Sequence, residues 1–387
     1  MTHSTSPNAR ALSAHWFGDR TVEPMIDWNV ALQTATRLSK PGPDISPEQV
    51  AEVVAELREA AARSEAPVRE FTDLHAPELD GRVAEAPILV VDRRRWVEAN
   101  LATFRVLIDP VVARLESEGK APSGAARAIG SKLSGAEIGA LMSFMSGKVL
   151  GQFDPFWEGP DAESGHESAG SRAGGRLMLV APNIVQAERQ MNVDPHDFRL
   201  WVCLHEETHR VQFTAVPWLR DHMRSLIGEF VDATELDATA VSRFVSDGLG
   251  ELVRIVRGES QASLAELFQN EQQRVVVDKL TGIMSLLEGH ADVVMDGVGP
   301  TVIPSVAEIR RKFDQRRKGA GGFDRLLRRL LGLESKMRQY RDGAVFVREV
   351  NERVGLSGFN AVWAEPANLP SQADIADPAG WVARVHG

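Results

Sequence analysis

The sequence predicts a mainly α-helical protein carrying one small β element. Three observations predict it. Helix-start signals recur along the chain, in "ISPEQ" (45–49), "VDRRR" (91–95) and "VDPHDF" (193–198). Apolar residues return at offsets of three and four through most of the chain, the period of a helix with one buried face. Only two runs, "ILVV" (88–91) and "RLMLVA" (176–181), have the length and punctuation of strands.

With 387 residues and 43% hydrophobic content, the chain can bury one large core or two modest ones. Acidic residues outnumber basic ones, 54 to 44, which argues against general nucleic-acid binding. Cys203 is the one cysteine, so no intrachain disulfide can form and a reducing, cytoplasmic setting is expected. No basic-then-apolar leader opens the sequence. No stretch reaches about 18 uncharged apolar residues, so no membrane span is expected.

Taken in order, residues 1–20 read as a flexible tail and 21–150 as a helical N-terminal region. Within that region, Ser46 caps a helix with Pro47 at its first position and Gln49 closing a capping box. Asp92 caps the helix that follows "ILVV". "GAEIGALMSFMSGKVLG" (135–151) reads as a buried helix whose Gly135 and Gly139 permit close packing. Residues 151–300 form the expected core. Inside it, 157–175 is a Gly- and Ser-rich flexible loop, and the strand near 176–181 is expected at a sheet edge. Residues 301–387 read as a C-terminal helical region packed on that core. Its 310–341 stretch holds twelve basic residues against three acidic ones and reads as a solvated helix face. Its three aromatic residues, Phe313, Phe323 and Tyr340, are too few to interleave with those charges as a nucleic-acid stacking surface requires.

The chemistry concentrates in "LHEETHR" (204–210). Asp194 caps this helix, Pro195 opens it and Pro217 ends it. On such a helix His205 and His209 lie about 6 Å apart along the axis and roughly 40° apart around it. Both imidazoles therefore reach one ion from one face. Glu206, beside the first ligand, can face a water molecule without binding the ion. Zinc is the expected ion, because imidazole and carboxylate donors suit it. An extended three-histidine pattern is excluded, since Gln212 and Ala215 stand where it needs Gly and His. A third ligand must come from elsewhere. "SLLEGHADVVMD" (285–296) offers Glu288, with His290 as a rival. Asp292, one turn from Glu288, is placed to accept a hydrogen bond from the far nitrogen of a ligand histidine.

HExxH followed by E-x-x-x-D resembles the gluzincin pattern of zinc peptidases, although 79 positions separate His209 from Glu288. The set "GQFDPF", "VAPNI", "DFRLWVCLHEETHRVQF", "VPWLRDH", "LLEGHADVVMD", "KMRQYRDG" and "LPSQADIADPAGWVARV" resembles a zincin-like hydrolase family common in actinobacteria. Some of its members are labelled as associated with deazaflavin-cofactor biosynthesis. The resemblance spans roughly residues 20–385. It implies a zincin-like metalloprotease fold, with His205, His209 and Glu288 as zinc ligands and Glu206 as general base. The expected substrate is a peptide or small amide. Tyr340, the one tyrosine, is the candidate oxyanion donor. Backbone at Val180, Ala181 and Asn183 is the candidate substrate-pairing edge. The competing reading is a metal-stabilised binding or scaffold protein without turnover.

Overall fold

The structure, a computed structural model, describes residues 24–79, 82–83, 86–119, 124–159, 174–233, 271–319 and 338–387. The expected tail, most of the 157–175 loop and the middle of the basic stretch lie outside them. Helices dominate, as the periodicity predicts, and two short sheets accompany them.

The N-terminal half builds a frame. Helix α1 (Trp28–Leu38) starts at Asp27, whose side chain accepts from Val30 N. Helix α2 (Pro47–Thr72) carries the full Ser46–Gln49 capping box. Strands β1 (Glu78–Leu79) and β2 (Arg82–Val83) form a minimal antiparallel pair. Strand β3 (Ile88–Val91) leads into α3 (Arg93–Ser117), capped by Asp92. Helix α4 (Gly124–Ser146) packs on α1 at van der Waals distance. A methyl at Gly135 would stand 2.3 Å from the carbonyl oxygen of Asp27, the cap of α1, and one at Gly139 2.3 Å from that of Ala31, so only glycine allows this crossing.

Strands β4 (Gly151–Asp154) and β5 (Arg176–Val180) complete a three-stranded sheet in the order β3-β5-β4. β5 runs parallel to β3 and antiparallel to β4. The expectation that 176–181 is an edge strand is therefore corrected: β5 is the middle strand. The physical reason is plain in its composition. All five residues of "RLMLV" are buried, as a strand covered on both faces requires. Helix α5 (Ala181–Met191) follows without a loop, with Pro182 in its first turn.

Helix α6 (Pro195–Ala215) runs through the centre, opened by Asp194 and Pro195 and ended just before Pro217. Helix α7 (Pro217–Asp232) continues after that proline. Past the undescribed 234–270 come α8 (Glu271–Val302) and α9 (Val306–Gly319). Helix α10 (Arg338–Phe359) bends at Gly355, where φ is +70°. Two 3₁₀ turns, α11 (Gln372–Ala376) and α12 (Pro378–His386) close the chain.

One apolar core joins α2, β5, α5, α6, α7, α8 and the C-terminal helices, with Leu57, Leu177, Phe198, Leu286, Phe346 and Trp381 fully buried. Burying side chains of this size contributes roughly 1.5–3 kcal/mol each relative to exposure. A smaller core under α1, α3 and α4 includes Trp96 and Met142. Helix α6 packs against α2 on one side and α8 on the other. α8 meets α10 at Gly289 and Gly343, where a methyl on Gly289 would stand 2.2 Å from the Gly343 backbone. This crossing fixes α8 immediately beside Glu288. No helix among the described residues is long and apolar enough to cross a membrane.

The described part of the basic stretch is partly neutralised. Arg310 pairs with Asp296 on α8, and Lys312 lies 2.6 Å from Glu308 and donates to the Asn192 carbonyl.

Candidate metal centre

The central helix α6 is buried along most of its circumference, and that decides what each residue of "LHEETHR" can do. Phe198, Trp201, Val202 and Leu204 anchor it in the core. Cys203 is buried as well; lack of solvation pushes its thiol well above the ordinary range, so it is inert. Glu207 is fully buried and held by Arg210 at 2.8 and 2.9 Å, and Arg210 also reaches Glu65 at 2.6 Å. Glu207 is thus a structural partner of Arg210.

The remaining polar residues face α8. His205 and His209, one turn apart, are partly exposed, with ring centroids 5.0 Å apart and planes nearly perpendicular. Glu288 on α8 faces both. Its carboxylate oxygens lie 3.8 Å from His205 Nε2 and 3.7 Å from His209 Nε2. One donor atom from each residue fits within a 4.8 Å span. Donors at zinc–ligand bond lengths around a tetrahedral ion stand about 3.3 Å apart. The two separations to Glu288 are within half an ångström of that, and all three donors lie within 4.8 Å of one another, so the donor set fits a small divalent cation. The 79-residue separation in sequence is spanned by α7 and the undescribed 234–270 before α8 returns to α6.

Glu206 points toward the sheet. It is 8% exposed and lies against Gly151, the first residue of β4. A methyl at position 151 would stand 2.5 Å from Glu206 Cγ and 2.8 Å from its Oε1, so glycine makes room for the carboxylate. Burial, with the nearby Glu288 charge adding to it, pushes the Glu206 carboxyl up to about 8. A bound cation would act in the opposite direction.

Behind His209 lies a polar chain that the sequence alone does not show. His209 Nδ1 donates to Gln212 Oε1 at 3.0 Å. Gln212 Nε2 donates to the Leu287 carbonyl and to His290 Nδ1, each at 3.0 Å. His290 is buried between Phe359 and Trp363, and burial, with His209 nearby, lowers it to about 3. His290 is therefore not grouped with His205 and His209 as a donor; Glu288 is. Gln212 had entered the sequence argument only as the residue that breaks a three-histidine pattern. Its spacing of three from His209 was the available signal.

The other candidates are placed as follows. Asp292 sits one turn beyond Glu288, half exposed, with Arg310 at 4.0 Å; the Nδ1 of His209 is met by Gln212 instead. Tyr340 falls in the first turn of α10, and its side chain lies outside the described residues. Val180, Ala181 and Asn183 form no open edge, which corrects their expected role in pairing a substrate. Val180 pairs with Val91 and donates to the Leu150 carbonyl. The Asn183 amide is buried, donating to the Ser146 and Val149 carbonyls and accepting from Arg93. Among the described residues β3 and β4 are the two outer strands, and β4 is the one beside Glu206.

Two imidazoles and a carboxylate from two packed helices, with a buried glutamate alongside, are a donor set of the kind that metal-dependent hydrolases use. The comparisons with known proteins agree with that class. The model of a family described as zincin-like metallopeptidase matches residues 26–382. The chain belongs to this family. A crystal structure of a proposed hydrolase with a novel fold from Chloroflexus aurantiacus is similar to it. The two are 30% identical with a TM-score of 0.65, over 93% of this chain and 99% of that one. No curated protein matches. The family implies a metal, typically zinc, and a hydrolase in general terms.

Proposed function

We propose that this protein is a zinc-dependent hydrolase that cleaves a peptide or small amide bond, with Glu206 as its general base. The observation that carries the reading is the meeting of His205, His209 and Glu288 from two crossing helices, beside a buried Glu206. His205 and His209 would hold the ion through Nε2, and Glu288 through its carboxylate. When bound, the ion polarises the scissile carbonyl and makes water more acidic. Glu206 takes a proton from the attacking water and delivers it to the leaving nitrogen. Its environment suits both halves of that exchange: burial favours the protonated form, and a nearby cation favours the ionised one. The outer strand β4 offers backbone groups to an extended substrate next to Glu206. We assign the Tyr340 hydroxyl as oxyanion donor, and Asp292 as a carboxylate acceptor for the far nitrogen of a ligand histidine, which leaves His205 since His209 is met by Gln212.

Glu206→Gln tests the reading on a peptide library digested by zinc-loaded protein. Hydrolysis should fall by about 10²–10⁴-fold while one zinc per chain is kept. Undiminished hydrolysis would remove Glu206 from the chemistry. A wild-type protein that binds zinc and cleaves nothing would favour the scaffold reading.

A further inference from the structure

We propose that Gln212 is a positioning residue that fixes His209 in the tautomer required of a metal ligand and ties it to the helix carrying Glu288. The proposal rests on the metal-centre reading above and adds a residue to it.

Gln212 is fully buried, and a buried amide needs partners for both its oxygen and its nitrogen. Its surroundings settle which end is which. The Leu287 carbonyl oxygen, 3.0 Å away, can only accept, so the group facing it must be the NH₂. The second hydrogen of that nitrogen points at His290 Nδ1, also 3.0 Å away. His290 presents a lone pair there, enclosed by the rings of Phe359 and Trp363 at 5.5 Å each.

Gln212 Oε1 is thereby turned toward His209 Nδ1, 3.0 Å away. A carbonyl oxygen accepts, so His209 carries its proton on Nδ1. The lone pair is then on Nε2, the atom that lies 3.7 Å from Glu288 Oε1. The tautomer of a ligating imidazole is set by the hydrogen bond its other nitrogen makes. Here the setting residue is a neutral amide from the same helix, held in orientation from the opposite one.

The same amide also controls distance. Leu287 and His290 bracket Glu288 on α8, so Gln212 holds α8 in register with His209 at the residue where the carboxylate leaves the helix. Losing the amide frees the imidazole to rotate and loosens the spacing between two donors at once.

The test uses full-length Gln212→Leu and Gln212→Glu. Leu keeps the volume and removes all three hydrogen bonds. Glu keeps an acceptor for His209 and removes the two donors. Zinc affinity is read by chelator competition, and the His209 tautomer in metal-free protein by long-range nitrogen–proton NMR. Wild type should show a proton on Nδ1. Gln212→Leu should mix the two tautomers and bind zinc about 10–100-fold more weakly. Gln212→Glu should keep the Nδ1 proton and lie closer to wild type in affinity, even if it melts earlier.

A purely structural pin would lower the melting temperature in both variants and leave affinity and tautomer alone; that result overturns the proposal. So does a wild-type His209 protonated on Nε2, a reading that needs neither variant to fold. Failure of the wild type to bind zinc would defeat the metal-centre reading, while the metal-free tautomer would still judge Gln212 by itself.

Discussion

Gly151→Ala puts the position of Glu206 under direct strain. The three atoms nearest the added methyl all belong to Glu206: Cγ at 2.5 Å, Cδ at 2.6 Å and Oε1 at 2.8 Å. Ordinary carbon contacts are about 3.5–4.0 Å, so roughly 1 Å must be found. The strand resists, because Gly151 is paired with Leu179 and the Leu150 carbonyl accepts from Val180 N. Helix α6 resists too, being buried along most of its length. The outer carbons of Glu206 are the part that yields. A shift of about 1 Å in a group that moves a proton costs about 10²-fold in rate, and overpacking costs about 1–3 kcal/mol in stability. None of the three nearest atoms belongs to a proposed ligand, so zinc should stay. Zinc content by mass spectrometry, thermal melting and peptide hydrolysis are measured together. A folded, zinc-loaded variant that hydrolyses at the wild-type rate would refute the role given to this contact.

Metal-free protein should lose stability as pH rises between about 4.5 and 8. The folded state keeps the Glu206 proton through that window while the unfolded chain releases it, at a cost on the order of a few kcal/mol. Chemical denaturation across that range should show the slope in wild type and a reduced slope in Glu206→Gln. His290 acts at the acid end with the opposite sign. Its stabilisation is complete above about 6.5 and is lost as pH falls toward 3, because the unfolded chain takes up the proton first; Gln in its place should flatten that limb. Stripping zinc with a chelator should lower the melting temperature by about 5 °C if the ion had been present at about a thousand times its dissociation constant. An unchanged melting temperature would mean that no ion stabilises the fold.

The helix that carries the site was legible because its signals are local. Asp194, Pro195 and Pro217 mark its ends, and the four-residue spacing of His205 and His209 follows from helix geometry. Glu288 was legible as a candidate from its chemistry, yet only the fold says that α8 returns to α6. The position of β5 was misread, although its unbroken burial had a trace in the run "RLMLV", which lacks the polar alternation of a one-sided strand. Its partner β4, "GQFD", is four residues with two polar side chains and gives no strand period. Gly151 and Gln212 act through contacts 55 and 75 positions away, at Glu206 and Leu287. Such long-range contacts leave no local mark; the one local sign was the spacing of three between His209 and Gln212.

The most direct measurement is anomalous diffraction at the zinc edge from crystals of the zinc-loaded protein. The account predicts one strong peak about 2.0–2.2 Å from His205 Nε2, His209 Nε2 and a Glu288 carboxylate oxygen. A peak bound by other residues, or none between α6 and α8 under saturating zinc, would contradict it.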